Sequence, residues 1–315
     1  MQGLRSWGLV LMSLAATAAG ADTATPEQPS STSFSASAGL GHESQTSPLF
    51  QLSPESTVVY LGGLQRLHGS HVRGTAQAFT DVSLGKGLSA SISADATVKR
   101  ALQNPDLDFS MLSVQPMLHI PLTGAGLGLG LNLMRLYVAR RHFRDAQSVQ
   151  ATWFRPDEAN LWSGVIETGT YRHQGDLTAL NARASSAVLQ RQIDQPLKGL
   201  SKLDISVIVG RERNDQGLRE LSNRSAMLNA SVQWRALGAQ WTLGRGWRQA
   251  WFDDTAFVGE PVRQDRAIST DVGASWKLSE RHTLLVDIND VRNVSTTRLY
   301  DNHYRQISSS VRFAW

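Results

Sequence analysis

The chain has 315 residues, with 31 Lys and Arg against 27 Asp and Glu, a formal net charge of +4, and no cysteine. Without cysteine it has no disulfide framework, no thiolate metal site and no N-terminal lipoprotein cysteine. The mild charge balance, with no Lys/Arg block interleaved with aromatic residues, argues against a nucleic-acid partner.

The first 21 residues predict a signal peptide that is cleaved after Ala21. Arg5 supplies the positive charge, residues 7–19 form the apolar run, and Ala19, Gly20 and Ala21 are small. The apolar run is too short for a spanning helix, which needs about 20 apolar residues. Removing Arg5 from the net charge of +4 leaves +3. Residues 22–31, mostly Thr, Pro, Ser and Gln, predict a flexible periplasmic lead-in.

Residues 32–315 break into short segments in which apolar and polar side chains alternate. In residues 127–133, for example, the leucines at odd positions alternate with Gly128, Gly130 and Asn132. A period of two gives a strand one apolar and one polar face. Because the polar faces also carry charges suited to a water-filled lumen, the pattern predicts an all-β transmembrane antiparallel up-and-down β-barrel rather than a soluble sandwich.

The lengths of the connections predict the strand number. Short turns near 84–87, 121–124, 155–157, 195–197, 236–238 and 278–280 alternate with longer polar links around 101–108, 142–146, 213–220, 251–262 and 293–302. In outer-membrane barrels the short turns are periplasmic and the long loops are extracellular, and both termini are periplasmic, so the number is even. We assign residues 57–67 to a structured part of the first external loop, which leaves about 14 strands.

These strands are expected at 32–42, 72–83, 87–99, 108–120, 125–141, 146–155, 160–172, 176–193, 200–213, 221–236, 238–250, 263–277, 281–293 and 303–315.

The C-terminal strand indicates the cellular location. It alternates through Ile307, Val311 and Phe313 and ends on Trp315. A final strand that ends on an aromatic residue is typical of outer-membrane barrels, whose interfaces carry aromatic girdles. Phe313 and Trp315 are therefore expected in such a girdle, and the protein in the cell outer membrane.

Charged residues on the polar faces are candidates for the wall of the lumen: Asp204, Arg235, Arg248, Asp271, Lys277, Asp287 and Arg312. Two interpretations stay open. The charges form a selectivity screen for solutes, or they form salt bridges that only satisfy one another.

The sequence shows no catalytic or cofactor motif, so we expect neither an enzyme nor a bound cofactor. His68 and His71 flank a Gly-Ser pair in the predicted first loop. They are a solvated pair or, with a third ligand, a metal or heme site. A hydrolase triad assembled only by the fold also stays open, because a triad is recognised by geometry.

The segment 292–305 carries Arg292, Asn293, Tyr300, Asp301 and Arg305 before the aromatic-ended final strand. It resembles the last external loop of the surface lipoprotein assembly modifier barrel. The run 262–266 resembles the start of that barrel's third-last strand, and residues 33–44 resemble its first strand. The resemblance implies a 14-strand outer-membrane barrel that helps to deliver surface lipoproteins or related secreted proteins across the outer membrane.

The resemblance also implies partners. They are outer-membrane lipid, the barrel-insertion machinery, a co-encoded exported protein or lipoprotein, and a separate periplasmic protein. Members of the family carry an N-terminal tetratricopeptide-repeat domain, whereas only about ten polar residues precede the barrel predicted here, too few for one repeat. We expect the capture of cargo to depend on that separate protein, or the barrel to have another task.

Three functions follow as hypotheses. The first is assistance to the translocation or surface display of an exported protein or lipoprotein. The second is a porin-like channel, passive or selective, for small solutes or glycans. The third is a structural barrel without transport. In the segment 292–305, a hydrogen bond from Arg292 or Arg305 to Asp301 is expected to pin the loop over the lumen as a gate; the alternative is a solvated cap on the last hairpin.

Overall fold

The computed structural model describes residues 30–52, 58–157, 160–255 and 259–315. They form a closed barrel of fourteen antiparallel strands, in which sequence neighbours pair and β1 pairs with β14. The predicted fold class and strand number are therefore confirmed. The predicted signal peptide and most of the lead-in lie outside the described residues, and β1 begins at Ser31, the last residue assigned to the lead-in.

The strands are β1 Ser31–Leu52, β2 Val58–Gly85, β3 Leu88–Ala101, β4 Phe109–Leu122, β5 Ala125–Val138, β6 Arg141–Asp157, β7 Asn160–His173, β8 Ala182–Asp194, β9 Leu200–Asn214, β10 Asn223–Ala236, β11 Ala239–Phe252, β12 Gln264–Lys277, β13 His282–Ser295 and β14 Asn302–Ala314.

Continuous pairing of β1 with β14, from Ser35 with Ala314 to Thr46 with His303, closes the barrel. The start of β1 and the end of β14 therefore lie at the same end, which is called the periplasmic end below; the opposite end is the external end. Two-residue turns connect strands at the periplasmic end, for example Leu237 and Gly238 with φ of 54° and 70°. Such turns match the twist of the flanking strands.

The two faces of the barrel wall differ as the alternation predicts. Large apolar side chains are exposed on the outer face, including Leu131, Ile166 and Val207, whereas the intervening residues point inward. Burial against lipid removes the cost of exposing this apolar surface to water.

Aromatic rings form a band on the outer face near the periplasmic end. Trp234 stacks on Trp241 with ring centroids 6.3 Å apart, and Trp241 meets Trp276 edge to face at 6.0 Å. At the β1–β14 seam, Trp315 lies 5.2 Å from Phe34 and 6.2 Å from Phe313. Phe313 and Trp315, the residues expected in a girdle, thus lie together at the periplasmic end of the seam.

The connection between β5 and β6 corrects one predicted loop. Residues 142–146 belong to β6, and the turn consists of Ala139 and Arg140, with φ of 49° and 63°. Asp108 holds this turn: its side chain accepts from Nε of Arg140 at 2.6 Å, and its carbonyl accepts from the amide of Ala139 at 2.9 Å. These contacts hold two non-glycine residues in a left-handed conformation that they rarely adopt.

The eighth strand begins later than predicted. Residues Gly175–Leu180 form a 3-10 helix, and β8 starts only at Ala182. Within the described residues, similar short 3-10 helices lie in three other external connections, at Pro105–Leu107, Arg219–Leu221 and Arg298–Tyr300. No helix in the described part of the chain is long and apolar enough to cross a membrane.

The segment 57–67, predicted as part of the first external loop, is not a loop in the structure. Its first residue, 57, lies outside the described residues. From Val58 onward it is the first part of β2 and pairs with β1. Because β1 leaves β14 after Thr46 and β2 joins β3 only at His71, the two strands continue as a hairpin beyond the external end of the barrel. The strand count of fourteen is unchanged.

Candidate functional site: the lumen

The lumen contains a cavity of about 1110 Å³ that is lined by residues from all fourteen strands. The lining runs from Ser35, Gln233 and Arg312 at the periplasmic end up to Arg144 and Tyr171. We call this space the vestibule. Side-chain amides contribute much of its inward surface: Gln77, Gln115, Asn132, Gln190, Gln192, Asn229, Gln233, Gln240, Asn289 and Gln306. An amide both donates and accepts hydrogen bonds, so this surface solvates polar groups of either kind.

Small residues keep the bore of the vestibule wide along β10 to β14 and β1. Ser231, Gly244, Gly273 and Ser275 line it, and a Cβ added at Gly244 would project toward Asp271, 3.5 Å from its Cβ. Gly39 has a different role, because a Cβ there would lie 2.2 Å from the carbonyl oxygen of Ser309. Gly39 therefore permits the close approach of β1 and β14 at the seam.

Four of the predicted lumen residues line the vestibule: Asp204, Asp271, Asp287 and Arg312. Arg235 and Lys277 continue the same inward faces of β10 and β12 and lie exposed at the periplasmic rim. Arg248 is different: it is buried near the external end of β11 and does not line the vestibule.

The vestibule carboxylates bind mainly neutral partners. This observation bears on the interpretation in which the lumen charges form salt bridges that only satisfy one another. Nε2 of Gln77 donates to Asp95 at 2.9 Å, Nδ2 of Asn289 donates to Asp271, and the hydroxyl of Ser148 donates to Glu167. One ion pair joins inward neighbours on β9, with Nζ of Lys202 3.5 Å from Asp204. Asp95 and Glu167 were not among the predicted lumen residues.

A second group of inward side chains lies near the external ends of the strands, above the vestibule. We call it the external layer, and it consists of the buried residues Glu43, His71, Arg144, Arg248 and Asp265 together with the half-buried Lys99, Tyr171 and Glu212.

One half of the external layer is centred on Glu43, which is 1% exposed. Nζ of Lys99 donates to both carboxylate oxygens, at 2.7 and 2.8 Å, and the hydroxyl of Tyr304 donates to Oε2 at 3.1 Å. Nδ1 of His71 lies 3.9 Å from Oε1, and its Nε2 is 3.2 Å from Nε2 of Gln306. These contacts join β1, β2, β3 and β14 on the inner side of the seam.

The other half of the external layer crosses from β6 to β12. The guanidinium of Arg144 lies 4.5 Å from the ring centroid of Tyr171, and Glu212 interacts electrostatically with both Arg144 and Arg248. Arg144 and Arg248 are 5% and 8% exposed. Cation–π contact and alternating charge offset part of the cost of burying these groups.

A contact between two external connections adjoins this half of the external layer. The guanidinium of Arg263 lies between the rings of Phe252 and Tyr300, 3.9 and 3.2 Å from their centroids. It also donates to both oxygens of Asp265, at 3.0 and 2.6 Å. Asp265 in turn accepts from the hydroxyl of Ser295 at 2.7 Å. The β11–β12 and β13–β14 connections are thereby fixed to each other.

The hydrogen bond to Asp301 that was expected to pin the segment 292–305 over the lumen is not formed. Arg292 and Asn293 lie in β13, and Arg305 lies in β14. Nε of Arg305 donates to Asp290 at 2.8 Å on the outer face of the barrel, not to Asp301. Arg292 is exposed on the same outer face, because its position in β13 has the parity of Asp290.

The centre of this segment closes its own hairpin. Oδ1 of Asp301 accepts from the amide of Ser295 at 2.7 Å, and Nδ2 of the buried Asn293 donates to the carbonyl of Tyr300 at 2.8 Å. These bonds satisfy backbone groups that the turn leaves unpaired. Tyr300 is the member of the predicted set that reaches another connection, through Arg263.

His68 and His71 lie in β2 rather than in a loop, on opposite faces. His71 is buried in the lumen, whereas His68 is exposed, with its ring 6.5 Å from that of His42. Among the described residues no group of three or more His, Cys, Asp and Glu side chains is placed to hold a metal ion.

One titratable group outside the strands organises the external end. Asp108 is fully buried and accepts from the amide of Ala101 at 2.7 Å as well as from Arg140. Burial raises the pKa of this carboxyl, but the hydrogen bonds from Arg140 and Ala101 and the charges of Arg140 and Arg100 outweigh burial, so the pKa lies below its ordinary value. The carboxylate stays charged and ties the β3–β4 connection to the β5–β6 turn.

No family model and no curated protein matches the chain. Similar solved structures include a loop L8 deletion mutant of OmpT, an outer membrane protein of Vibrio cholerae. It is 6% identical, the match covers 91% of this chain and 100% of that chain, and the TM-score is 0.50. An anion-selective porin from Comamonas acidovorans is 9% identical, with 91% and 100% covered and a TM-score of 0.48.

OpdK, an outer membrane protein of Pseudomonas aeruginosa, is 9% identical, with 90% and 99% covered and a TM-score of 0.46. At these identities the likeness concerns the fold alone. The fold of this chain is that of an outer-membrane β-barrel.

Proposed function

We propose that the protein is an outer-membrane channel through which small hydrophilic solutes diffuse. The vestibule carries this proposal, because it is a cavity of about 1110 Å³ inside a closed barrel, lined by amides, hydroxyls and carboxylates from every strand. The apolar outer face and the aromatic band at the periplasmic end support a membrane location. The external layer lies in the path of a solute and sets the size limit.

The charges of the vestibule support a preference for cations and neutral solutes over anions. Its carboxylates are Asp95, Glu167, Asp204, Asp271 and Asp287, and below Arg144 its inward bases are Arg73, Lys202 and Arg312. Carboxylates that bind neutral amides and hydroxyls keep their charge available to a passing ion. These contacts favour the interpretation of the lumen charges as a selectivity screen for solutes.

Planar-bilayer recording on the purified barrel tests this proposal. We expect discrete conductance steps and, under a KCl gradient, a reversal potential that shows potassium passing more readily than chloride. The double variant Asp271→Asn, Asp287→Asn should reduce that preference, whereas Asp157→Asn at the periplasmic turn should leave it unchanged. The channel proposal would be contradicted if the wild-type barrel does not conduct and a variant with a reduced external layer does not conduct either.

A second function, assistance to the surface display of an exported protein or lipoprotein, is favoured by the projecting hairpin of β1 and β2. This hairpin extends past the last residue that pairs with β14, Thr46, and presents paired backbone outside the barrel. Exposed strand edges are common sites for recruiting another chain. The membership in the surface lipoprotein assembly modifier family that the sequence suggests remains part of this second proposal.

The second function has a cellular test. Protease accessibility of exported proteins encoded near the gene would be measured in a deletion strain complemented with wild type or with a barrel whose hairpin is shortened by removing residues 48–66. Loss of display in both the deletion and the shortened strain supports assistance, with the hairpin as the contact. Unchanged display in the deletion strain removes this function and leaves the channel.

A further inference from the structure

The outer face of the barrel carries a cluster of four arginines on three adjacent strands. Arg183 in β8 pairs directly with Arg213 in β9, and Arg211 in β9 pairs directly with Arg224 in β10. We call these four residues the outer arginine cluster. Like charges directly opposite each other on neighbouring strands destabilise a sheet, so this arrangement requires an explanation.

All four side chains point away from the lumen. Along β9 the outward positions are Val207 and Val209, 46% and 50% exposed, and the same alternation continues to Arg211 and Arg213. The side chains of Arg183 and Arg224 are 76% and 68% exposed. Ile208, the inward residue between the two valines, is buried. The cluster is therefore open to whatever surrounds the barrel.

The protein supplies too little negative charge to neutralise the cluster. Asp215 lies 3.4 Å from Nε of Arg183, but it is shared with Arg172, whose Nη1 is closer at 2.7 Å. Asp253 lies 3.9 Å from Nη2 of Arg224. Within the part of the chain that the structure describes, Arg211 and Arg213 form no ion pair. The cluster thus retains excess positive charge that an external anion would neutralise.

The surface directly below the cluster is apolar. Toward the periplasmic end, Leu189 in β8, Val207 and Val209 in β9 and Leu228 in β10 are all exposed on the same outer face. The pairing of Leu189 with Val207, and of Val207 with Leu228, makes them one continuous patch. A ligand that fits both surfaces has an anionic head and hydrocarbon chains.

We propose that the outer arginine cluster binds the phosphorylated headgroup of a lipid in the external leaflet, with the acyl chains on the apolar patch below. Guanidinium groups form paired, charge-assisted hydrogen bonds with phosphate oxygens, which explains four arginines better than a general attraction to negative charge. The occupant is a membrane lipid and not free phosphate, because the apolar patch adjoins the cluster. The proposal is independent of whether the lumen conducts.

Native mass spectrometry of the full barrel in a neutral detergent tests the site. The probes are a glycolipid with two phosphates, its dephosphorylated form, phosphatidylcholine and inorganic phosphate. We expect retention of the phosphorylated glycolipid alone. The double variant Arg211→Ala, Arg213→Ala should weaken it about tenfold or more, because charge-assisted hydrogen bonds are among the strongest polar contacts.

Two controls separate the site from nonspecific charge attraction. Arg235→Ala with Arg281→Ala removes the same charge at the periplasmic end and should leave retention unchanged, while Arg211→Lys with Arg213→Lys should retain part of it. Equal binding of the dephosphorylated lipid, equal loss in the control variant, or full displacement by millimolar inorganic phosphate would overturn the proposal. Heat-modifiable migration of each variant on a detergent gel verifies that the barrel is folded.

Discussion

The two ends of the lumen are built from the same alternating strands but differ in what their inward residues do. In the vestibule many of these residues are small or carry amides, and its carboxylates bind mainly neutral partners. In the external layer they are mostly long and charged, they are buried or half-buried, and they bind one another across strands. Strand geometry fixes which face a residue occupies, whereas side-chain size and pairing decide whether the lumen there is open or filled.

This difference assigns separate tasks to the two ends. An open polar vestibule determines which solutes are solvated, and a packed charged layer determines how large a solute passes. Because most contacts of the external layer join different strands, removing one member leaves another buried charge without its partner. The vestibule has no such dependence, so equivalent substitutions at the two ends should have unequal consequences.

Reducing the external layer should have the largest effect. The double variant Arg144→Ala, Glu212→Ala removes one charge of each sign from this layer and widens the path, so single-channel conductance should rise several-fold. The matched vestibule variant Gln115→Ala, Gln190→Ala should change conductance much less, because the bore is already wide there. Similar increases from the two variants, measured in planar bilayers, would remove the distinction between the ends.

Loss of one buried charge should have the next largest effect, on stability. Glu43→Gln removes the buried carboxylate that both contacts from Nζ of Lys99 reach, and we expect a loss of about 3 kcal/mol in the free energy of unfolding. The double variant Glu43→Gln, Lys99→Met should recover part of that loss. Denaturant unfolding in micelles, followed by tryptophan fluorescence, measures both.

The corresponding change in the vestibule is Asp204→Asn, whose partner Lys202 is 28% exposed. It should cost about 1 kcal/mol or less, because water solvates the lysine that remains. A cost as large as that of Glu43→Gln would show that the vestibule charges are as tightly coupled as those of the external layer.

The carboxyl of Asp108 at the external end should make the stability of the protein depend on pH, with a smaller effect than the substitutions above. The pKa of Asp108 is lowered in the folded protein, so its carboxylate stabilises the fold at pH above the ordinary carboxyl value. That stabilisation is lost as pH falls through the lowered pKa. Asp108→Asn should cost about 1 kcal/mol at neutral pH and should flatten the acid side of the stability curve.

Asp215→Asn is a suitable comparison for Asp108→Asn. Its side chain also lies in an external connection and pairs with arginine, but it is 17% exposed rather than fully buried. At neutral pH this variant should lose less stability than Asp108→Asn, because water solvates the arginines that remain. Parallel curves for the wild type and Asp108→Asn would show that this carboxyl does not contribute as described.

The sequence predicted the wall of the barrel more accurately than its connections. The alternation of Leu127, Leu129, Leu131 and Leu133 placed β5 correctly, because a slip of one residue would turn every leucine into the lumen. The turn at Ala139 and Arg140 was missed because neither residue is typical of a left-handed turn. Its stability comes from Asp108, a contact between segments that are distant in sequence.

For the candidate site, the sequence predicted only which residues face the lumen. Asp204, Asp271, Asp287 and Arg312 lie on the inward faces that the alternation gave them. The partners of a charge were not predictable, since Glu43 and Tyr304 are 261 positions apart and meet only because the barrel closes. The pairing expected between Arg305 and Asp301 failed for a related reason: strand register directs Arg305 outward, to Asp290.

A single cysteine in the vestibule gives the most direct test of an open vestibule beneath a restrictive external layer. The chain contains no cysteine, so Ser275→Cys introduces the only thiol, in the vestibule wall. A membrane-impermeant methanethiosulfonate reagent should modify it rapidly from the periplasmic side of a bilayer and slowly from the external side. In the Arg144→Ala, Glu212→Ala background the two rates should become similar. Equal rates from both sides with the external layer intact would contradict the account.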